Sequence, residues 1–182
     1  MGVITVTEAE LGQSVAKDQV LKGLTLKIPP SAAGYGNYFT LTDGEMVLYN
    51  IDPSTSHISS DSVLFSGGYG FGDLILKNIP VGSTFELDVT APPTLGSLSP
   101  NSVESGAPDL TLSCTGTDFT GGSIIMFGSE DEPTTMVSDT ELTTIVKPSL
   151  FAPATVPVTV RTGRFTTDPV DFTFTEPAAK EA

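Results

Sequence analysis

Few residues in this chain have the types and spacing that chemistry needs. His57 is the only histidine, and Ser59 and Asp61 lie close behind it. On paper these three make a Ser-His-Asp set. They are near-neighbours in one polar stretch with no nucleophile elbow, whereas a working triad draws its members from separated elements. Glu130, Asp131 and Glu132 form an acidic run, and Asp139 and Glu141 follow it. Calcium takes oxygen ligands at useful spacing, but no EF-hand pattern is present. The run reads equally as a solvated turn, and calcium at Glu130–Glu132 stays open. An acidic chain always offers carboxylate pairs for glycoside hydrolysis. The aromatic clusters of a sugar cleft are missing, since Trp is absent and Tyr totals 4.

Cys114 is the only cysteine, so neither an intrachain disulfide nor a multi-thiolate metal site can form. No Lys, Arg or His lies beside it in sequence to lower its pKa. It therefore reads as a small core residue on a strand. The segment Gly67-Gly68-Tyr69-Gly70-Phe71-Gly72 has the look of a phosphate-cradling loop. No Lys-Ser/Thr follows it and no strand-loop-helix setting surrounds it. It reads as a glycine-rich turn carrying aromatics. The expectations are no enzyme activity and no cofactor.

Charge narrows the partners. The 182 residues carry 22 acidic and 8 basic side chains, a net charge of −14. No two basic residues are adjacent. Nucleic acid and anionic membranes both recruit Lys/Arg clusters, so neither is expected as a partner. Charged residues make up 16% of the chain, against roughly 25% in an average domain, so Ser and Thr must supply much of the polar surface. The opening MGVITVTEAELGQSV has no basic segment leading into an apolar core, and no apolar run approaches membrane-spanning length. The expectation is a product made in the cytosol.

The elements are strands and turns. One segment, Glu8 to Lys17, reads either as a short helix or as an extended arm. Thr7 and Glu10 have capping-box spacing, and Gly12 weakens the helix. Leu24, Leu26 and Ile28 alternate with Thr25 and Lys27, as a half-buried strand does. Tyr38 to Leu41, Glu45 to Ile51, Ser62 to Phe65 and Asp73 to Lys77 read as further short strands, with a hairpin turn at Asp43-Gly44. Phe85, Leu87 and Val89 alternate with Glu86 and Asp88.

Pro92-Pro93 marks a boundary, because two prolines restrict the backbone and donate no ladder bonds. Beyond it, strands are expected at 95–98, 109–114, 123–127, 134–137, 142–146, 155–161 and 170–174. Short strands at this spacing predict a β-sandwich. Leu110, Leu112 and Cys114 share one face, with Ile124, Met126, Val156, Val158 and Val160 as facing material. Phe119, in the turn Thr115 to Gly122, is expected to plug one end of the sandwich. Gly116 is expected to supply a backbone conformation that a Cβ would hinder.

Ordered pieces of this half carry a resemblance. They are Leu98 to Gly106, Leu110 to Phe119, Ile124 to Gly128, Val137 to Leu142, Val156 to Val160 and Phe172 to Phe174. Together they resemble the TIG, or IPT, family of immunoglobulin-like domains. Asp109 and the acidic stretch Gly128 to Pro133 depart from that pattern.

The organisation expected is all-β. A small β domain, barrel or sandwich, spans 1–91, an immunoglobulin-like sandwich spans 94–177, and a disordered tail spans 178–182. The resemblance implies a non-enzymatic structural protein of a tailed-bacteriophage virion, decorating or cementing the capsid surface. Its implied partner is the major capsid protein, its localisation the virion assembled in the host cytoplasm, and its state a homo-oligomer, with a trimer preferred. A tail or baseplate component is one alternative; a surface carbohydrate-binding or adhesion module is another. The first domain is expected to make the assembly contacts, through Val3, Ile4, Val6, Tyr69 and Phe71, with Val3–Thr7 adding a strand to a neighbour. The second is expected to project, with Phe119 and Cys114 as core markers.

Overall fold

A computed structural model describes residues 2–27, 40–43, 46–50, 62–78, 82 and 84–178. His57, Ser59 and Asp61, and the tail from 179 onward, lie outside the described residues. The chain divides into two units, Met1–Pro92 and Pro93–Ala182, so the boundary falls within the Pro92-Pro93 pair.

Unit one is an antiparallel sheet. Its strands are β1 (Gly2–Val6), β2 (Ser14–Lys27), β3 (Thr40–Asp43), β4 (Met46–Asn50), β5 (Ser62–Asn78) and β6 (Thr84–Thr90). They lie in the order β1-β6-β2-β5-β3-β4. Phe85, Leu87 and Val89 of β6 are buried, while Thr84, Glu86 and Asp88 between them are half-buried. They join Leu24, Leu26, Leu41, Phe71, Leu74 and Leu76 in one core. Burying side chains of this size contributes about 1.5–3 kcal/mol each.

Two readings of this unit are corrected. The segment after Thr7 is a single 3-10 turn, Glu8–Glu10, not a helix to Lys17. The capping pair does form: the Thr7 N–H and Thr7 Oγ1–H donate to Glu10 Oε2 at 2.7 and 2.6 Å. These bonds hold the Glu10 carboxyl below the usual carboxylate range. Gly12, at φ +76°, then turns the chain into β2. The second correction concerns Gly67 to Gly72, which is the middle of β5 rather than a turn. It pairs with β2, Phe71 opposite Gln19 and Tyr69 opposite Leu21. Between the Leu21↔Tyr69 and Gly23↔Ser66 pairs, Gly67-Gly68 faces the single residue Lys22. The glycines thus serve a β-bulge.

Unit two is a two-sheet sandwich. Its main strands are β7 (Thr94–Ser99), β8 (Ser102–Glu104), β9 (Leu110–Thr117), β10 (Ser123–Phe127), β11 (Glu130–Asp131), β12 (Thr135–Ser138), β13 (Glu141–Val146), β14 (Ala154–Thr162), β15 (Phe165–Thr166) and β16 (Val170–Thr175). One sheet runs β12-β13-β9-β7; the other runs β11-β10-β14-β16-β8, with β15 beside β14. This is the immunoglobulin arrangement, in which the first, second, fourth and fifth major strands face the rest. The chain changes sheets between β7 and β8 across a cis Ser99–Pro100 bond. β8, within a stretch that reads as loop in the sequence, pairs parallel to β16.

Leu112, Cys114, Leu142, Val158, Val160, Phe172 and Phe174 fill the space between the sheets. On β10 the inward side chains are Ser123, Ile125 and Phe127, not Ile124 and Met126. Four consecutive apolar residues carry no alternation, so the sequence leaves this phase undetermined. The core of unit two is self-contained, and residues 93–182 are expected to fold alone. The measurement is an amide spectrum of that fragment; wide dispersion is the expected result, and a collapsed spectrum would contradict it.

Candidate functional site

The residues singled out for assembly contacts lie in unit one. Val3 is 64% exposed, whereas Val6 is 1% and Phe71 0% exposed. Ile4 and Tyr69 are partly buried against the same core. Val6 and Phe71 are therefore core residues, because β1 and β5 point them inward. The strand expected to pair with a neighbour already pairs within its own sheet, Val3 opposite Asp88 and Thr5 opposite Glu86. β1 is nevertheless the terminal strand of the sheet order. Among the described residues, no strand lies along its outer edge.

In unit two, Cys114 and Phe119 are both 0% exposed. Burial pushes the Cys114 thiol up to about 12 from an ordinary 9.0. The thiolate is the reactive form, so the group is chemically inert in the native state. The unfolded chain ionises this thiol near pH 9 while the folded chain keeps its proton. Folding stability should therefore fall as pH rises above about 9, with a limiting slope of roughly 1.4 kcal/mol per unit from this group. Thiol labelling should require unfolding, and labelling of native protein at the rate of a free thiol would contradict the burial.

The turn after β9 is built around Gly116 and Phe119. The Gly116 N–H donates to the Thr140 carbonyl at 3.0 Å, and the Phe119 N–H to the Asp139 carbonyl at 2.9 Å. A Cβ on Gly116 would meet the Thr94 carbonyl oxygen at 1.9 Å and Phe119 Cζ at 2.6 Å. Glycine is required here by close approach. The left-handed residue of the turn is Asp118, at φ 58°. Behind it the Ser123 hydroxyl accepts from the Thr120 N–H at 2.9 Å and shares a hydrogen bond with Thr162 Oγ1 at 2.7 Å. This turn is structural machinery.

The acidic run does not gather into a metal cage. Glu130 and Asp131 are exposed, Glu132 is half-buried, and Asp131 pairs with Arg161. Among the described residues no group of three or more His, Cys, Asp or Glu is placed to hold a metal ion. Nor is any helix there long and apolar enough to cross a membrane.

One concavity was not anticipated. A groove of about 530 Å³ lies between the β11–β12 link and the end of β13. Phe127, Pro133, Ile145, Val146, Leu150 and Phe151 give it apolar walls, and Glu132 and Lys147 also line it. Phe151 stacks on Phe174 with centroids 4.3 Å apart, and Phe127 packs on Phe151 at 5.8 Å. The residues come from separate elements and form no local motif. The available signal was Lys147-Pro148-Ser149-Leu150-Phe151, a proline-bearing link with two large apolar residues.

The strand order, the turn around Phe119 and the core place unit two among immunoglobulin-like domains. The chain matches the IPT/TIG domain family over residues 93–174. Unit two is an IPT/TIG domain. A search of the curated proteins finds no match to the chain. The IPT/TIG assignment covers the sandwich and not unit one. Domains of this family are generally non-catalytic. The described residues are all-β, and the IPT/TIG domain among them is consistent with structural or adhesive roles generally.

Proposed function

We propose that this chain is a structural protein of a tailed-phage virion that decorates or cements the capsid. Unit one attaches to the major capsid protein, and the IPT/TIG domain is the displayed module. The observation that supports the reading is the terminal strand β1 of unit one, together with an IPT/TIG domain that has a core of its own. The IPT/TIG domain closes its own core between two sheets. Unit one ends its sheet in β1, with Val3 exposed on that strand. A terminal strand offers a row of backbone donors and acceptors to a partner strand. The attached state is a homotrimer seated at the threefold positions of a capsid lattice. A net charge of −14 disfavours packaged nucleic acid as the partner.

The test is to add the full chain to particles lacking it and sediment them. Co-sedimentation that persists at about 1 M salt is the expected result, because backbone pairing and apolar contact are not screened as exposed charges are. A chain left in the supernatant with capsids and tails alike would overturn the proposal.

A further inference from the structure

A terminal strand presents unpaired backbone groups, and folded proteins blunt such edges with bulges, charges, proline or short length. Among the described residues the sheets end in β1 and β4, in β11 and β8, and in β12 and β7. All but β1 are blunted. Three carry a bulge on the terminal strand itself. On β4, Leu48 is the extra residue between the Leu41↔Tyr49 and Thr42↔Val47 pairs. On β12 the extra residue is Val137, and on β7 it is Gly96. β11 consists of two acidic residues, and β8 is three residues long. β1 has none of these devices. Its five residues pair one to one with β6, and Gly2–Val6 contain neither proline nor an ionisable side chain. Val3, 64% exposed, is the exposed large hydrophobic residue of the described part of unit one.

A second copy of β1 matches this edge along its whole length. Pairing Gly2–Val6 antiparallel with itself over all five residues fixes one register. Ile4 then faces the second copy's Ile4, and Val3 faces its Thr5. These are pairs of β-branched side chains, which favour a sheet. Ile4 is half-buried at the margin of the unit-one core, and its counterpart extends that margin. Each copy carries −14, so self-association requires a contact free of acids. The acids of β6, Glu86 and Asp88, stand opposite Thr5 and Val3. Across the joined sheet those of the two copies are three strand spacings apart, about 14 Å. That exceeds the screening length of about 8 Å at physiological salt. Glu86 is also paired with Lys27 at 2.6 Å.

We infer that in the free chain β1 pairs with β1 of a second copy about a twofold axis, joining two six-stranded sheets into one. An isologous contact of this kind closes at two copies. Five residue pairs bury far less than the roughly 1,200–2,000 Å² of a standard interface, so the pair is weak and forms in the high micromolar range. The pairing concerns the free chain and holds whether or not the particle reading does. A strand of another protein that takes this edge displaces the second copy.

Sedimentation of the full chain over a range of concentrations reads the pairing. The average mass is expected to climb from one copy toward two and no further. Pairing should tighten several-fold from low to high salt, because salt screens the repulsion between two acidic copies. Val3→Glu changes an exposed position, so it should leave unit one folded and abolish the pairing over the same range. The register has its own test. Val3→Cys and Thr5→Cys chains, mixed under mild oxidant, should cross-link faster than either alone, and Cys114 stays silent because it is buried. One copy at every concentration, pairing weakened by salt, pairing retained by Val3→Glu, or cross-linking without preference for the mixture would overturn the inference. A three-copy mass in solution would also overturn it, while leaving a trimer on particles standing.

Discussion

Gly116→Ala is expected to cost the IPT/TIG domain about 3 kcal/mol or more, the upper end of overpacking penalties. The added methyl would sit 1.9 Å from the Thr94 carbonyl oxygen. That oxygen belongs to β7, which pairs with β9 at this point, Thr94 opposite Thr117 and Leu95 opposite Gly116. A backbone atom in a ladder cannot swing aside as a side chain can. The strand must separate, and it takes its hydrogen bonds with it. Urea unfolding of the full chain, followed by a probe of unit two, measures the loss. A cost under about 1 kcal/mol would show that β7 yields freely and is held by little.

Phe119→Ala carries the other large effect, roughly 3–5 kcal/mol, as for other buried phenylalanines. The ring is fully buried and joins the core of Leu112, Cys114 and Leu142. Removing it leaves a cavity at the end of the sandwich. Residues in contact do not behave additively. Losing the ring relieves the second contact of an added methyl at Gly116, the one at 2.6 Å, but not the contact with Thr94. Gly116→Ala should therefore remain costly in the Phe119→Ala background. A loss below about 0.5 kcal/mol for Phe119→Ala alone would contradict its burial.

These two residues also show what was legible beforehand. Phe119 between turn residues stood out because an aromatic in a glycine-rich link needs a reason, and its place as an end plug could be read. The role of Gly116 could not, because close approach depends on Thr94, which is far away in sequence. Alternating segments were readable for the same reason that they fold: Phe85, Leu87 and Val89 share one face of a strand whose other face stays wetter. β5 was hidden because local turn preference at Gly67 to Gly72 was overruled by pairing with β2. β2 was half hidden, since bulges at Leu21/Gly23 and Ser14/Ala16 break the two-residue period. The groove was invisible because it joins Glu132, Val146 and Leu150 from three parts of the chain.

Attachment through unit one is the central claim, and binding by separated units tests it most directly. Residues 1–92 and residues 93–182 would each be added to particles lacking the protein and sedimented. The account predicts that the first fragment pellets with capsids and that the second stays in solution. Pelleting by residues 93–182 alone would contradict it and move the attachment surface to the IPT/TIG domain.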